Sequence, residues 1–201
     1  MKHPFPYLPK QHEDIMVEHH STVLVFIASG IEEMEAVTVC DILRRGGLNV
    51  VIAGESEIIT SARGLKLLPD VTFEHIAEDE EYLAVILPGG SRAADTFCNH
   101  PHVEKILRAH MKRDALIGAM CASPSVFAAY DLLPQGTAMT SHPGVRHLLE
   151  SRYEYVEERI VINESVITCQ GAGCSIDFAL TMLSLLAGKE MSQQVAKDIV
   201  Y

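Results

Sequence analysis

Short apolar runs alternate with segments of helical spacing from residue 22 onward. The clearest run spans residues 23–27, and similar runs span residues 49–53, 83–87 and 115–120. Runs of this length without polar alternation are typical of strands that are buried on both faces of a parallel sheet. The alternation therefore predicts an α/β fold, a flavodoxin-like three-layer sandwich with a parallel sheet core.

Three longer segments repeat apolar residues at helical spacing, namely residues 34–45, 101–113 and 175–186. The predicted buried face of the first segment comprises Met34, Val37, Arg44 and either Cys40 or Asp41. The predicted buried face of the second comprises Val103, Ile106, Leu107 and His110. Because these spacings match a 3.6-residue period, we expect three amphipathic helices that cover the sheet.

Shorter strands are predicted near residues 58–60, 64–68, 159–162 and 166–168. No linker or repeat interrupts these elements, so residues 21–201 are expected to form a single domain. Residues 1–20 contain three prolines and four histidines without an apolar run. We expect them to form a mobile N-terminal extension outside the core.

The composition indicates which classes of partner are not expected. The formal net charge of -11 disfavours binding to a nucleic-acid backbone. The longest strictly apolar run, residues 23–28, has six residues, whereas a membrane helix needs about 20. Neither nucleic acid nor a membrane is therefore an expected partner.

The five cysteines are spaced irregularly and are odd in number: Cys40, Cys98, Cys121, Cys169 and Cys174. A secreted disulfide framework is not expected from such a pattern, and a reducing cytoplasm is the expected compartment. The spacing also fits no zinc motif, and the turn at residues 170–173 lacks the full glycine and lysine pattern of nucleotide-binding loops. Neither a metal nor a cofactor is predicted.

Cys121 is the strongest chemical candidate, because it stands where a predicted strand meets a predicted helix beginning near Pro124. Small residues flank it on both sides: Gly118, Ala119, Ala122 and Ser123. Such neighbours suit a tight elbow that exposes a nucleophile. A helix N-terminus favours thiolate, so we expect the pKa of Cys121 to lie below its usual value. The alternative, a buried cysteine acting as a small apolar residue, stays open.

Two loops, residues 29–35 and 88–90, follow predicted strands and are expected to meet Cys121, because ligands bind beyond the carboxyl ends of parallel strands. Glu35 faces either this site or solvent, whereas an ordinary acidic helix start explains Glu32 and Glu33. His142 is either a proton shuttle or a surface histidine in a loop. The other four cysteines are predicted to be structural.

Six motifs follow one another in a fixed order. They are Ser-Gly-Ile-Glu-Glu-Met-Glu-Ala-Val at 29–37, Asp-Ile-Leu-Arg-Arg-Gly-Gly at 41–47, Leu-Pro-Gly-Gly at 87–90, Ala-Met-Cys-Ala-Ser-Pro at 119–124, Ser-His-Pro at 141–143 and Asp-Phe-Ala-Leu at 177–180. From about residue 22 to its end, the chain resembles the ThiJ/PfpI superfamily, in particular its branch of parkinsonism-associated deglycases and bacterial ThiJ-like proteins. The resemblance implies a class I glutamine amidotransferase-like fold and a homodimer.

The resemblance also implies roles for three side chains. Cys121 matches an oxidisable nucleophile, Glu35 matches a protonated glutamate hydrogen-bonded to that cysteine, and His142 matches a site histidine. A charged Glu35 would raise the pKa of the thiol, so we expect the two groups to titrate as a coupled pair.

Further positions match the family's pocket. The backbone N–H groups of Gly90 and Ala122 match an oxyanion-binding pair. Gly89, Arg45 and Arg63 match pocket residues, with one arginine expected from the partner subunit. Ala122 also stands where the protease-like branch carries histidine, so peptidase activity is not expected.

Two functions are therefore expected from the resemblance. The first is a cofactor-independent glyoxalase with related deglycase activity, which converts small α-oxoaldehydes such as methylglyoxal to 2-hydroxy acids. The second is an oxidative-stress sensor or chaperone that uses the same oxidisable cysteine without turnover. One departure is expected as well, since no helix is predicted after residue 186, where the animal members carry an extra one.

Overall fold

The computed structural model describes residues 22–76 and 81–201. The predicted extension, residues 1–20, lies outside the described residues. In the described part of the chain the strands are β1 Thr22–Ile27, β2 Asn49–Gly54, β3 Ile59–Thr60, β4 Lys66–Leu67, β5 Val71–Thr72, β6 Ala84–Leu87, β7 Leu116–Met120, β8 Ala138–Met139, β9 Glu154–Tyr155, β10 Ile160–Asn163 and β11 Val166–Cys169.

The centre of the fold is a sheet in which seven of these described strands follow the order β10-β11-β7-β6-β1-β2-β5. Every pairing in it is parallel except that of β10 with β11. The inner strands β1, β6 and β11 are buried at every position, because helices cover both faces of the sheet. The predicted flavodoxin-like α/β fold is confirmed.

The register aligns the ends of the inner strands. Ile27 pairs with Gly54 and Leu87 pairs with Ala119, so β1, β2, β6 and β7 end at one edge. Consequently the loops that follow β1, β6 and β7 meet there, as the sequence predicts.

The helices are α1 Glu33–Arg45, α2 Ser91–Asn99, α3 Pro101–Met111, α4 Ser125–Ala129, α5 Ser175–Ala187 and α6 Lys189–Asp198. Among the described helices, α5 packs against both α1 and α6, while α2 packs against both α3 and α4. On α3 the predicted face is confirmed, since Val103, Ile106, Leu107 and His110 are all buried.

The predicted buried face of α1 is partly wrong. Met34 and Val37 are 59% and 52% exposed, whereas Val39, Ile42 and Leu43 are buried in the core. The buried face also contains Glu35. The sequence pattern was ambiguous because apolar residues occur on more than one side of this helix, and the sheet selects the side that packs.

Two helices were missed. α2 buries Ala93, Ala94 and Phe97, and two of these are alanines that give only a weak apolar signal. α6 is mostly polar, with Val195 as its buried apolar residue, so it offers few apolar positions from which a buried face could be predicted. The expectation that no helix follows residue 186 is therefore wrong.

Candidate active site

A cavity of about 910 Å³ opens where the loops after β1, β6 and β7 meet. Its lining includes the predicted residues Cys121, Glu35, Gly90, Ala122, His142 and Arg63. Gly89 lies directly beside Cys121, since a Cβ on this glycine would come within 2.5 Å of the Cys121 Cβ. The structure therefore brings seven of the eight predicted site residues together.

Cys121 follows the end of β7 in a strained backbone conformation, with φ at +84°. A non-glycine residue in the left-handed region costs on the order of 1–3 kcal/mol, so surrounding contacts must hold it there. The Cys121 carbonyl accepts a hydrogen bond from the His142 N–H. The half-buried sulfur accepts hydrogen bonds from the backbone N–H groups of Gly90 and Ala122. The elbow thus presents its sulfur to two converging donors.

Glu35 lies beside this sulfur and is completely buried. Its Oε2 accepts a hydrogen bond of 2.6 Å from the Gly89 N–H, and the carboxyl group also hydrogen-bonds the Cys121 thiol. Burial raises the pKa of Glu35 to about 7, while the bonds from Gly89 and Cys121 oppose that rise. Near neutral pH a large fraction of Glu35 therefore keeps its proton.

The expectation of a low pKa for the Cys121 thiol is wrong. Burial, followed by the charge of Glu35, raises the pKa of Cys121 to about 12, and the Gly90 and Ala122 N–H groups oppose this. The helix that was expected to favour thiolate begins only at Ser125 and has five residues, so it contributes little positive potential at the sulfur.

Between these two pKa values the two groups together carry one proton, as is expected of a coupled pair. With the proton on Glu35, the repulsion of the thiolate disappears, and the carboxyl O–H can donate to the sulfur. With the proton on Cys121, the charge rests on Glu35 and its Gly89 donor. Neighbouring N–H donors thus stabilise both forms of the pair.

His142 lies at the exposed rim of the cavity. Its Nδ1 accepts a hydrogen bond of 3.1 Å from the Gly144 N–H, so the neutral imidazole carries its proton on Nε2. Gly171 borders the whole group: a Cβ there would lie 3.6 Å from Cys121 Sγ, 3.8 Å from His142 Cδ2 and 3.9 Å from Glu35 Oε1. The sequence pattern of residues 170–173 predicts only a plain turn at this glycine.

The two predicted arginines lie in different places. Arg63 lines the cavity, and its backbone N–H donates to Glu33 Oε2 at 3.3 Å. Arg45 pairs with Asp41 at 2.6 Å and does not line the cavity of its own chain. It is ten residues after Glu35, which is about 15 Å along the helix. Arg92 also lines the cavity but was missed, because it belongs to the unpredicted helix α2.

The described residues contain no cluster of three or more side chains suited to hold a metal ion. Within the same residues, no helix is both long and apolar enough to cross a membrane.

The chain is similar to known proteins over most of its length. Residues 21–185 match the DJ-1/PfpI family. Protein dj-1beta of Drosophila melanogaster is 35% identical over 89% of this chain and 96% of its own length. The glutathione-independent glyoxalase DJR-1.2 of Caenorhabditis elegans is 31% identical over 92% of this chain and 98% of its own length.

Solved structures show the same likeness. The crystal structure of Drosophila melanogaster DJ-1beta superposes with a TM-score of 0.86 at 34% identity, over 90% of this chain and 98% of that one. The structure of oxidized Toxoplasma gondii DJ-1 superposes with a TM-score of 0.84 at 31% identity, over the same shares of the two chains.

Proposed function

The chain belongs to the DJ-1/PfpI family, and from this premise we propose that it is a cofactor-independent glyoxalase acting on small α-oxoaldehydes such as methylglyoxal. The observation that carries the proposal is the pairing of Cys121 with Glu35, whose pKa is raised by burial to about 7. Such a pair offers a nucleophile and a proton carrier in contact with each other.

The reaction begins when the Cys121 sulfur adds to the aldehyde carbon and forms a hemithioacetal. The former carbonyl oxygen takes up negative charge, and the Gly90 and Ala122 N–H groups that bond the sulfur are near enough to stabilise it. A proton then passes from this carbon to its neighbour through an enediol, which leaves a 2-hydroxyacyl thioester on Cys121. Water hydrolyses the thioester, releasing the 2-hydroxy acid and the thiol.

Glu35 and His142 are the proposed proton carriers. A carboxyl group with a pKa near 7 is suited to accept and return a proton at neutral pH. His142 stands at the exposed rim, where it can exchange protons with solvent. Related deglycase activity would use the same thiol on early adducts of these aldehydes with amines.

The test uses the purified chain with methylglyoxal and no glutathione, with lactate as the measured product. We expect the Cys121→Ala variant to lose activity by at least about 100-fold. Cys98→Ala is the matched control, because Cys98 is a half-buried thiol that does not line the cavity. Equal rates in the Cys121→Ala variant and the parent would refute the proposal.

A second candidate is an oxidative-stress sensor or chaperone in which Cys121 is oxidised to a sulfinate without turnover. The donors around the sulfur favour it, because Gly90 and Ala122 N–H groups and a protonated Glu35 can all bind sulfinate oxygens. Mild peroxide treatment followed by peptide mass mapping tests it. A Cys121 that gains oxygen no faster than Cys98 would exclude this candidate.

We also propose that the chain forms a homodimer through α1. Met34 and Val37 expose apolar surface on this helix, and Leu68 borders the same groove of about 670 Å³ as Val37. A two-fold axis perpendicular to α1 would set the two α1 helices antiparallel across this face. Because Arg45 borders the groove at the opposite end of α1 from Glu35, each chain would then bring its Arg45 near the other chain's cavity.

A further inference from the structure

Two cysteines outside the proposed mechanism flank one turn beside the cavity. Cys169 is the last residue of β11, and Cys174 directly precedes α5. Both are free thiols, and the Cys174 thiol is near enough to interact with that of Cys169. Cys169 is completely buried, and Cys174, which is 5% exposed, contributes to the lining of the cavity.

In the turn between them, one backbone oxygen accepts a hydrogen bond from each cysteine. The Gly171 carbonyl accepts a hydrogen bond of 2.8 Å from the Cys174 N–H and one of 3.7 Å from the Cys169 thiol. This shared acceptor keeps the two ends of a short turn together. Forming a bond of about 2.05 Å between the sulfurs requires the two side chains to rotate toward each other within this turn.

We propose that Cys169 and Cys174 form a disulfide when the protein meets a hydroperoxide, which makes them a redox site separate from Cys121. The inference does not depend on glyoxalase activity. It rests on the Gly171 carbonyl that accepts from the Cys169 thiol and the Cys174 N–H, on the closeness of the two thiols, and on the position of Cys174 in the cavity lining.

Oxidation starts at Cys174, because it lines the cavity through which a peroxide arrives. Its sulfur attacks one peroxide oxygen, the O–O bond breaks, and an alcohol or water leaves, so that Cys174 becomes a sulfenic acid. The Cys169 sulfur then attacks the Cys174 sulfur, and the S–O bond breaks. The departing hydroxide combines with the Cys169 proton to give water. Two thiols are thereby oxidised and one hydroperoxide is reduced.

The buried environment of Cys169 makes it the second partner. Burial is the largest cause that raises the pKa of Cys169, so this thiol keeps its proton until Cys174 is oxidised. The site also borders the reactive cysteine, since Gly171 lies between this pair and Cys121. Oxidation of the pair would therefore change the same turn that forms one wall around Cys121.

The experiment treats the full-length protein with hydrogen peroxide and then with an alkylating reagent under denaturing conditions. We expect a form that is lighter by about 2 Da before alkylation and a linked peptide pair containing Cys169 and Cys174. Cys174→Ser should abolish this form, whereas Cys40→Ser, which removes another buried thiol, should retain it. Sulfinate at Cys121 is distinguished by a gain of about 32 Da.

The Cys121→Ala variant separates the two redox sites. It should still form the Cys169–Cys174 bond, even if the parent shows no glyoxalase turnover. The proposal is overturned if the peroxide-treated parent chain, which carries no substitution, yields no linked pair. A link from Cys174 to Cys121 in its place also overturns it. Because the parent protein supplies the deciding measurement, a substitution that impairs folding does not affect the outcome.

Discussion

Glu35→Gln should stabilise the protein at alkaline pH, because it removes a carboxyl group whose ionisation opposes folding. Burial raises the pKa of Glu35 from 4.5 to about 7 in the folded chain. A raised carboxyl pKa means that the native state binds the proton more tightly than the unfolded state. The resulting stability is fully present below the unfolded pKa and is lost as pH rises through the folded pKa.

The size of the effect follows from this difference in pKa. At about 1.36 kcal/mol per unit, ionisation of Glu35 lowers the free energy of unfolding by about 3 kcal/mol once the pH exceeds the folded pKa. Glutamine has nearly the same shape and keeps an oxygen that can accept the Gly89 N–H bond. The difference in the free energy of unfolding between the variant and the parent should therefore grow by about 2–3 kcal/mol as the pH rises from 5 to 8.

Urea unfolding of both proteins at several values from pH 5 to pH 8 measures this difference. The range stops at pH 8 to limit ionisation of cysteine thiols in the unfolded chain. Glu57→Gln serves as the control, since Glu57 is an exposed carboxylate outside the cavity. A stability difference between Glu35→Gln and the parent that stays constant over this range would show that Glu35 does not titrate as described.

Three further predictions concern the site, the core and the association surface. Gly89→Ala should lower kcat/KM for methylglyoxal by about 100-fold, because its Cβ would lie 2.8 Å from Glu35 Oε2. Gly173→Ala should retain activity, because no atom lies within 4 Å of the Cβ that it adds. Phe97→Ala should reduce the free energy of unfolding, measured with urea, by about 3–5 kcal/mol, because this ring is fully buried. Val37→Asp should shift the protein to a monomer in sedimentation equilibrium; an unchanged dimer would exclude the α1 interface.

The principal strands could be predicted from sequence because burial on both faces leaves uninterrupted apolar runs. Residues 23–27 and 83–87 were assigned within one residue of β1 and β6. Helices α2 and α6 could not be predicted in the same way, because apart from Phe97 and Val195 their buried faces use alanine and serine, whose apolar signal is weak. α6 is rich in good helix formers such as lysine, glutamate, glutamine and alanine, so its helix follows from propensity and tertiary packing rather than from an apolar run.

Site residues could be predicted from sequence where they directly follow parallel strands. Strand ends meet at one edge of a sheet, so the grouping of Glu35, Gly90 and Cys121 followed from their positions after β1, β6 and β7. Arg92 was missed because it belongs to helix α2, which the apolar pattern did not predict. Gly171 was missed although it follows β11, because its turn carries no complete binding motif.

The sequence by itself determined the order of elements, the parallel sheet and the candidate nucleophile, since these depend on periodicity and on residues next to one another in the chain. Only the tertiary structure decided the protonation behaviour of Cys121. Local reasoning expected a low thiol pKa from a helix N-terminus, yet burial and the carboxyl group of Glu35 oppose it. Desolvation and charge act through space, so they depend on neighbours that are distant in sequence.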